Sequence, residues 1–216
     1  MTTTRHRRTD VPRARGTAVV LGGIGMPLVS LFLLALAVGP LGADELDRRI
    51  LAFSDRHLYD QGVARVADMT LYATVGVIVV ATVVGGVVFA SRRAWRQVAF
   101  LALAVGGVFV LDPLLKALVQ RPPLGPHSDE FSFPSGTAML VATATVAAGI
   151  VVPQLMRVVV VTGVCLALVT GVALTYTWWH YPTDVLAGWC AGIALAGSAS
   201  LVVRQASRRD ANARRL

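Results

Sequence analysis

Two stretches of this chain, Thr17 to Val38 and Met69 to Ala90, each run for 22 residues without a charged side chain. At 1.5 Å of rise per residue, a helix of that length crosses the roughly 30 Å hydrocarbon core of a bilayer. Four further apolar stretches follow, Gln97 to Val119, Phe133 to Val152, Val158 to Thr177 and Thr183 to Val203, with their few charges near the ends. In lipid every backbone polar group has to be paired within the protein, and runs of this length meet that demand as helices. The predicted fold is all-α, a polytopic membrane bundle of six transmembrane spans. Composition agrees: the 216 residues are 55% hydrophobic and 15% charged, with a mean hydropathy of +0.65, too apolar for a soluble domain. Ala35-Leu36-Ala37 resembles a signal cleavage site, but the first run is long for a signal peptide and is read as a span.

The segments between the spans set the orientation. Residues 1–16 form a basic arm, residues 17–203 the membrane domain and residues 204–216 a basic tail. Between the first two spans, Ala43 to Asp68 mixes charges with Leu46, Ile50, Phe53, Leu58, Val63 and Val66 at roughly helical intervals. That pattern predicts an amphipathic segment lying at the interface. The arm, the Arg92–Arg96 turn, Arg157 and the tail together hold fourteen arginines with only Asp10 and Asp210, whereas the opposite segments hold six basic residues against ten acids. By the positive-inside rule both termini are cytoplasmic. The bias toward Ala, Val, Gly and Arg suggests a GC-rich bacterial genome, and hence a bacterial inner (plasma) membrane. Cys165 and Cys190 lie in apolar runs without metal-ligand spacing and read as free thiols.

On this topology, polar residues from the ends of three separate spans converge on the outer face. Lys116, the only lysine in the chain, and Arg121 are cations. Ser135 and Gly136 follow Pro134, where a helix start would aim its unpaired amides and positive dipole end at an anion. His180 and Asp184 lie four residues apart, so a helix beginning at Pro182 would turn the carboxylate back toward the imidazole and fix its tautomer. In isolation these two also read as an interfacial histidine and a helix cap. Gathered ionisable residues at span ends mark a functional site, and the chemistry of this set suits phosphate.

Three motifs carry a resemblance: Lys116-x4-Arg121-Pro122, Phe133-Pro134-Ser135-Gly136, and His180-Tyr181-Pro182-Thr183-Asp184-Val185-Leu186-Ala187-Gly188. In order and placement they resemble those of the type 2 phosphatidic acid phosphatase superfamily, K-x6-R-P, P-S-G-H and S-R-x5-H-x3-D, a family that includes bacterial undecaprenyl diphosphate phosphatases. The resemblance implies His180 as nucleophile, Asp184 as its orienting partner, and Lys116, Arg121, Ser135, Gly136 and Thr137 around the phosphate. The chain departs from the family at three places. Pro123 stands where the first motif has its arginine, Thr137 where the second has its histidine, and Ala173-Leu174 where the third has Ser-Arg. Arg121, two positions early, is the candidate substitute for one arginine.

Asp112 precedes Lys116 by one turn and is expected to pair with it as a structural salt bridge. The resemblance makes the second-motif histidine the acid that protonates the leaving oxygen, and with Thr137 in its place His127 is the candidate replacement. Trp178, Trp179, Tyr176 and Tyr181 read as an interfacial aromatic belt. The function implied is hydrolysis of a polyprenyl diphosphate or related lipid phosphate ester at the outer face, through a phosphohistidine. The alternative is an inactive relative that binds lipid phosphates as a scaffold or transport partner. The expected partners are the bilayer and a lipid phosphate, not nucleic acid, and neither a metal nor another cofactor is expected.

Overall fold

The computed structural model describes residues 24–38, 45–124 and 131–213. Its regular elements are helices: α1 Met26–Val38, α2 Glu45–His57, α3 Gln61–Ser91, α4 Trp95–Val119, α5 Gly136–Val151, α6 Met156–Tyr176 and α7 Pro182–Ala213, with a 3-10 turn at Pro153–Leu155 before α6. Four helical stretches, α3, α4, α6 with its 3-10 start, and α7 through Ser207, are long and apolar enough to cross a membrane. α1 has 13 residues and α5 has 16; both are apolar but shorter. The expected first span begins in residues 17–23, outside the described residues.

The segment expected as one amphipathic stretch is two elements. α2 ends at His57, and α3 starts afresh at Gln61, because Asp60 caps it by accepting the Val63 amide at 3.0 Å. α2 buries Asp47 and Leu51 and exposes Leu46, Ile50 and Phe53. Tyr176 at the end of α6 fixes the α2–α3 turn: its hydroxyl accepts the Asp60 amide at 2.6 Å and donates to the Leu58 carbonyl at 2.9 Å. Tyr176 and Tyr181 are buried, so neither belongs to an interfacial belt.

Outward faces of α3 and α6 present Val77, Val80, Val87, Val161 and Val172, an apolar exterior suited to lipid. α5 lies inside, against α4, α6 and α7, and packs most extensively on α7. The small residues of α7 permit this. A Cβ on Gly188 would meet the Ser135 carbonyl oxygen and lie 2.9 Å from the Ala138 Cβ, and one on Gly192 would lie 2.9 Å from both Ala142 Cβ and Thr143 Oγ1. Thr143 uses the close approach to donate to the Gly192 carbonyl at 3.2 Å. Without hydrophobic pressure between helices in lipid, this small-xxx-small contact is what lets two backbones pack.

Candidate active site

His180 lies in the turn that carries the chain from α6 into α7. Trp178 takes a left-handed conformation with φ 61°, and the amides of Trp179 and His180 both reach the Leu174 carbonyl, at 3.1 and 3.2 Å. This tight reversal aims the imidazole inward. Its Nδ1 lies 2.9 Å from the Ser132 carbonyl oxygen. A carbonyl only accepts, so Nδ1 carries a proton, and in the neutral ring Nε2 is the nitrogen with the lone pair. The Asp184 carboxylate is farther away, at 3.6 Å from Nδ1. The direct hydrogen bond to the ring therefore comes from a backbone group, with Asp184 set behind it.

Asp184 is held by other partners. Its Oδ2 accepts the Tyr181 amide at 3.1 Å, its Oδ1 accepts Arg121 Nη1 at 2.5 Å, and its backbone carbonyl accepts the Ser135 amide at 3.0 Å. Arg121, fully buried, also bonds Asp47 Oδ2 at 2.5 Å and Thr183 Oγ1 at 2.7 Å. Asp47 in turn accepts the Thr183 amide at 3.0 Å and the Thr183 hydroxyl at 2.6 Å. Two carboxylates, one guanidinium and the first amides of α7 thus close a buried network. The helix start favours negative charge there. The Arg121 guanidinium lies 3.9 Å from the centre of the Tyr181 ring, and burial pushes that phenol above its usual pKa although Arg121 opposes the shift.

In front of His180 is a cavity of about 340 Å³. α4 supplies Asp112 and Lys116, the start of α5 supplies Gly136 and Thr137, and the connecting segments supply Phe131, Ser132, Trp178 and Trp179. Lys116 Nζ pairs with Asp112 Oδ2 at 3.2 Å, the salt bridge expected from their spacing. The Asp112 carboxylate rests against Gly136, where a Cβ would come within 2.9 Å of its Cγ. It therefore shares the positive end of α5 with whatever anion enters the cavity. A second chamber of about 240 Å³ shares Val75, Thr137, Trp179 and His180 with the first and adds Asp68, Tyr72 and Leu174. Asp68 Oδ1 accepts Trp179 Nε1 at 2.9 Å.

The structure therefore brings His180, Lys116, Gly136 and Thr137 together around one cavity. Arg121 lies outside that lining, enclosed by Asp47, Thr183 and Asp184. Ser135 is buried as the N-cap of α5, its Oγ accepting the Ala138 amide at 3.4 Å. His127 lies outside the described residues. Among the described residues, no three His, Cys, Asp or Glu gather at metal-binding distance. Pro123, Thr137 and Leu174, the three departures from the phosphatase motifs, all line the chambers beside His180. Asp47 and the Ser132 carbonyl were not identified from sequence.

Fold and site define a polytopic membrane helix bundle with a histidine-centred cavity at one end. The PAP2 superfamily model matches residues 70–208, and the chain belongs to that superfamily. It is similar to phosphatidylglycerophosphatase B of Bacillus subtilis (strain 168), with 32% identity over 125 residues, covering 52% of this chain and 61% of that relative. The match thus spans less than two thirds of the relative's length. Its fold is similar to the crystal structure of the first transmembrane PAP2 type phosphatidylglycerolphosphate phosphatase from Bacillus subtilis, with a TM-score of 0.65 and 24% identity, covering 85% of this chain and 95% of that one.

Proposed function

We propose that this protein is a membrane lipid phosphatase that hydrolyses a prenyl diphosphate or related lipid phosphate ester, with His180 Nε2 as nucleophile. The observation that carries this reading is the 2.9 Å contact between Nδ1 and the Ser132 carbonyl, which makes Nε2 the lone-pair nitrogen of the neutral ring, beside the cavity. Nε2 attacks phosphorus in line, and the phosphorus–oxygen bond to the lipid breaks as the nitrogen–phosphorus bond forms. The departing oxygen keeps the electron pair; a phosphate leaves as the anion, whereas an alkoxide takes a proton from water. Water then attacks the phosphohistidine, the nitrogen–phosphorus bond breaks, and inorganic phosphate leaves with His180 restored. Lys116 and the first-turn amides of α5 stabilise the equatorial oxygens through both steps. In this reading α1 and α5 complete six spans, both termini are cytoplasmic and the cavity faces the outer side. The related Bacillus phosphatidylglycerophosphatase B supports the lipid phosphate class.

The test is phosphate release by purified protein in nanodiscs from phosphatidic acid, phosphatidylglycerophosphate and a prenyl diphosphate. At least one should be turned over, and His180→Ala should abolish turnover in a protein that still folds. Activity surviving in that variant would overturn the mechanism. A second reading, a lipid-phosphate binder without turnover, is favoured by one observation: Pro123, Thr137 and Leu174 remove charge from the cavity wall. Binding without release from any of the three lipids would select it.

A further inference from the structure

Twenty residues of helix, about 30 Å at 1.5 Å per residue, separate Arg96 from Lys116 on α4 and Arg204 from Asp184 on α7. Arg96 and Arg204 therefore stand one bilayer core away from the His180 cavity, at the opposite membrane boundary. There they line a separate pocket of about 330 Å³ between α4, the end of α5 and α7. Its floor is apolar, formed by Phe100, Ile150, Val151 and Val203, and Phe100 is only 4% exposed. Gln97, Ser200 and Ser207 add polar groups, and no acidic residue lines the pocket. Among the described residues neither arginine meets a carboxylate at ion-pair distance.

We propose that this pocket binds the headgroup of an anionic phospholipid, its phosphate between Arg96 and Arg204 and the start of an acyl chain on the Phe100–Val203 floor. The charge is complementary to an anion. Arginine forks suit phosphate oxygens in particular, and basic pockets between spans at a membrane boundary are the geometry in which anionic headgroups are held. The apolar floor decides between the sources of phosphate, since a free anion gains nothing from Phe100 and Val203. Trp95, 63% exposed at the same end of α4, is placed as an interfacial anchor beside it. α4 also begins here with Ala94, which offers no side-chain cap, so its first turn adds positive potential. The site shares no residue with the His180 cavity and stands independently of the phosphatase reading.

The experiment is native mass spectrometry of the full chain released from detergent. Retention of phosphatidylglycerol, phosphatidylcholine and inorganic phosphate would be compared for wild type, Arg96→Gln/Arg204→Gln, Val203→Trp and Arg92→Gln/Arg93→Gln. Each arginine that meets the retained headgroup should contribute about fivefold to its binding. Wild type should retain phosphatidylglycerol over phosphatidylcholine, and the pocket pair should lower that retention about thirtyfold. Val203→Trp should lower it by filling the floor without changing charge. The Arg92/Arg93 pair, outside the pocket, should behave as wild type. Equal loss in the Arg92/Arg93 pair, equal retention of phosphatidylcholine, or displacement of the lipid by millimolar inorganic phosphate would each overturn the proposal.

Discussion

Asp47 and Thr183 stand 136 positions apart, yet one carboxylate receives both the amide and the hydroxyl of the other residue, and both residues are buried. This places α2 against the first turn of α7, two residues from the end of the His180 turn. With Arg121 bridging to Asp184, the contact ties the segment before the long spans to the turn that carries His180.

Removing one partner from such a network leaves charge uncompensated. Asp47→Ala should therefore destabilise the protein by about 3 to 5 kcal/mol, the range for breaking a buried pair. Asp47→Asn, which keeps the acceptor for the Thr183 amide, should lose less. Reversible unfolding in mixed micelles gives both values, and equal stability of the alanine variant and wild type would contradict the network's role.

The α5–α7 contact predicts a size limit on α7. Gly188→Leu and Gly192→Leu each force a side chain into the α5 backbone and should destabilise by about 1 to 3 kcal/mol. Gly76→Leu is the control, because a Cβ there meets nothing within 4 Å. Thermal unfolding should separate the three, with Gly76→Leu near wild type.

With threonine in place of the family's acid, the substrate should be one whose leaving group needs little protonation. A positioned acid typically contributes about 10² to 10⁴ in rate, and an alkoxide depends on it more than a departing phosphate does. The expected outcome is a preference for prenyl diphosphates over phosphatidic acid, with Thr137→His raising monoester turnover more than diphosphate turnover. Values of kcat/KM for both substrates in both proteins check this. A wild-type preference for monoesters, or equal effects on the two classes, would refute it.

Orientation is open to a labelling test in a background lacking the two thiols, Cys165 and Cys190. Leu124→Cys, beside the active-site cavity, should react with an impermeant maleimide added to intact cells. Arg92→Cys, in the turn between α3 and α4, should react only after permeabilisation. The reverse pattern would place the cavity on the cytoplasmic side.

Much of this was legible in the sequence. Apolar runs located α3, α4, α6 and most of α7, and the alternation of spans set His180, Lys116 and the Ser135-Gly136 helix start at the same end, where the structure puts His180, Lys116 and Gly136 around one cavity. Asp112 and Lys116 paired as a four-residue helical interval requires. Arg121 was not legible in the same way. A cation before a proline at a span end reads as a phosphate ligand, and only the carboxylates of Asp47 and Asp184, from two other helices, turn it inward. Asp47 itself sits among Glu45, Arg48 and Arg49, where local charge pattern hides the one buried member. The Ser132 carbonyl carries no signature at all, since every residue has one. Gly188 and Gly192 stand four residues apart, which suits a close helix contact, but as such they were not singled out from the sequence, and nothing in it names α5 as the partner.

Gly188 and Gly192 also give the His180 cavity two kinds of wall. The His180 turn, Asp184 and the entry to α5 are joined through main chain: α7 and α5 touch through their backbones and the Ser135 amide is bonded to the Asp184 carbonyl. α3 joins this end through a side-chain bond, Asp68 to Trp179 Nε1, and 11% of its most apolar stretch is buried, against 44% for α7. It nevertheless supplies Asp68, Tyr72 and Val75 to the inner chamber. One side of the inner chamber is thus set by main-chain contact and the other by side chains, so substitution on α3 reshapes the chamber without touching the α5–α7 contact.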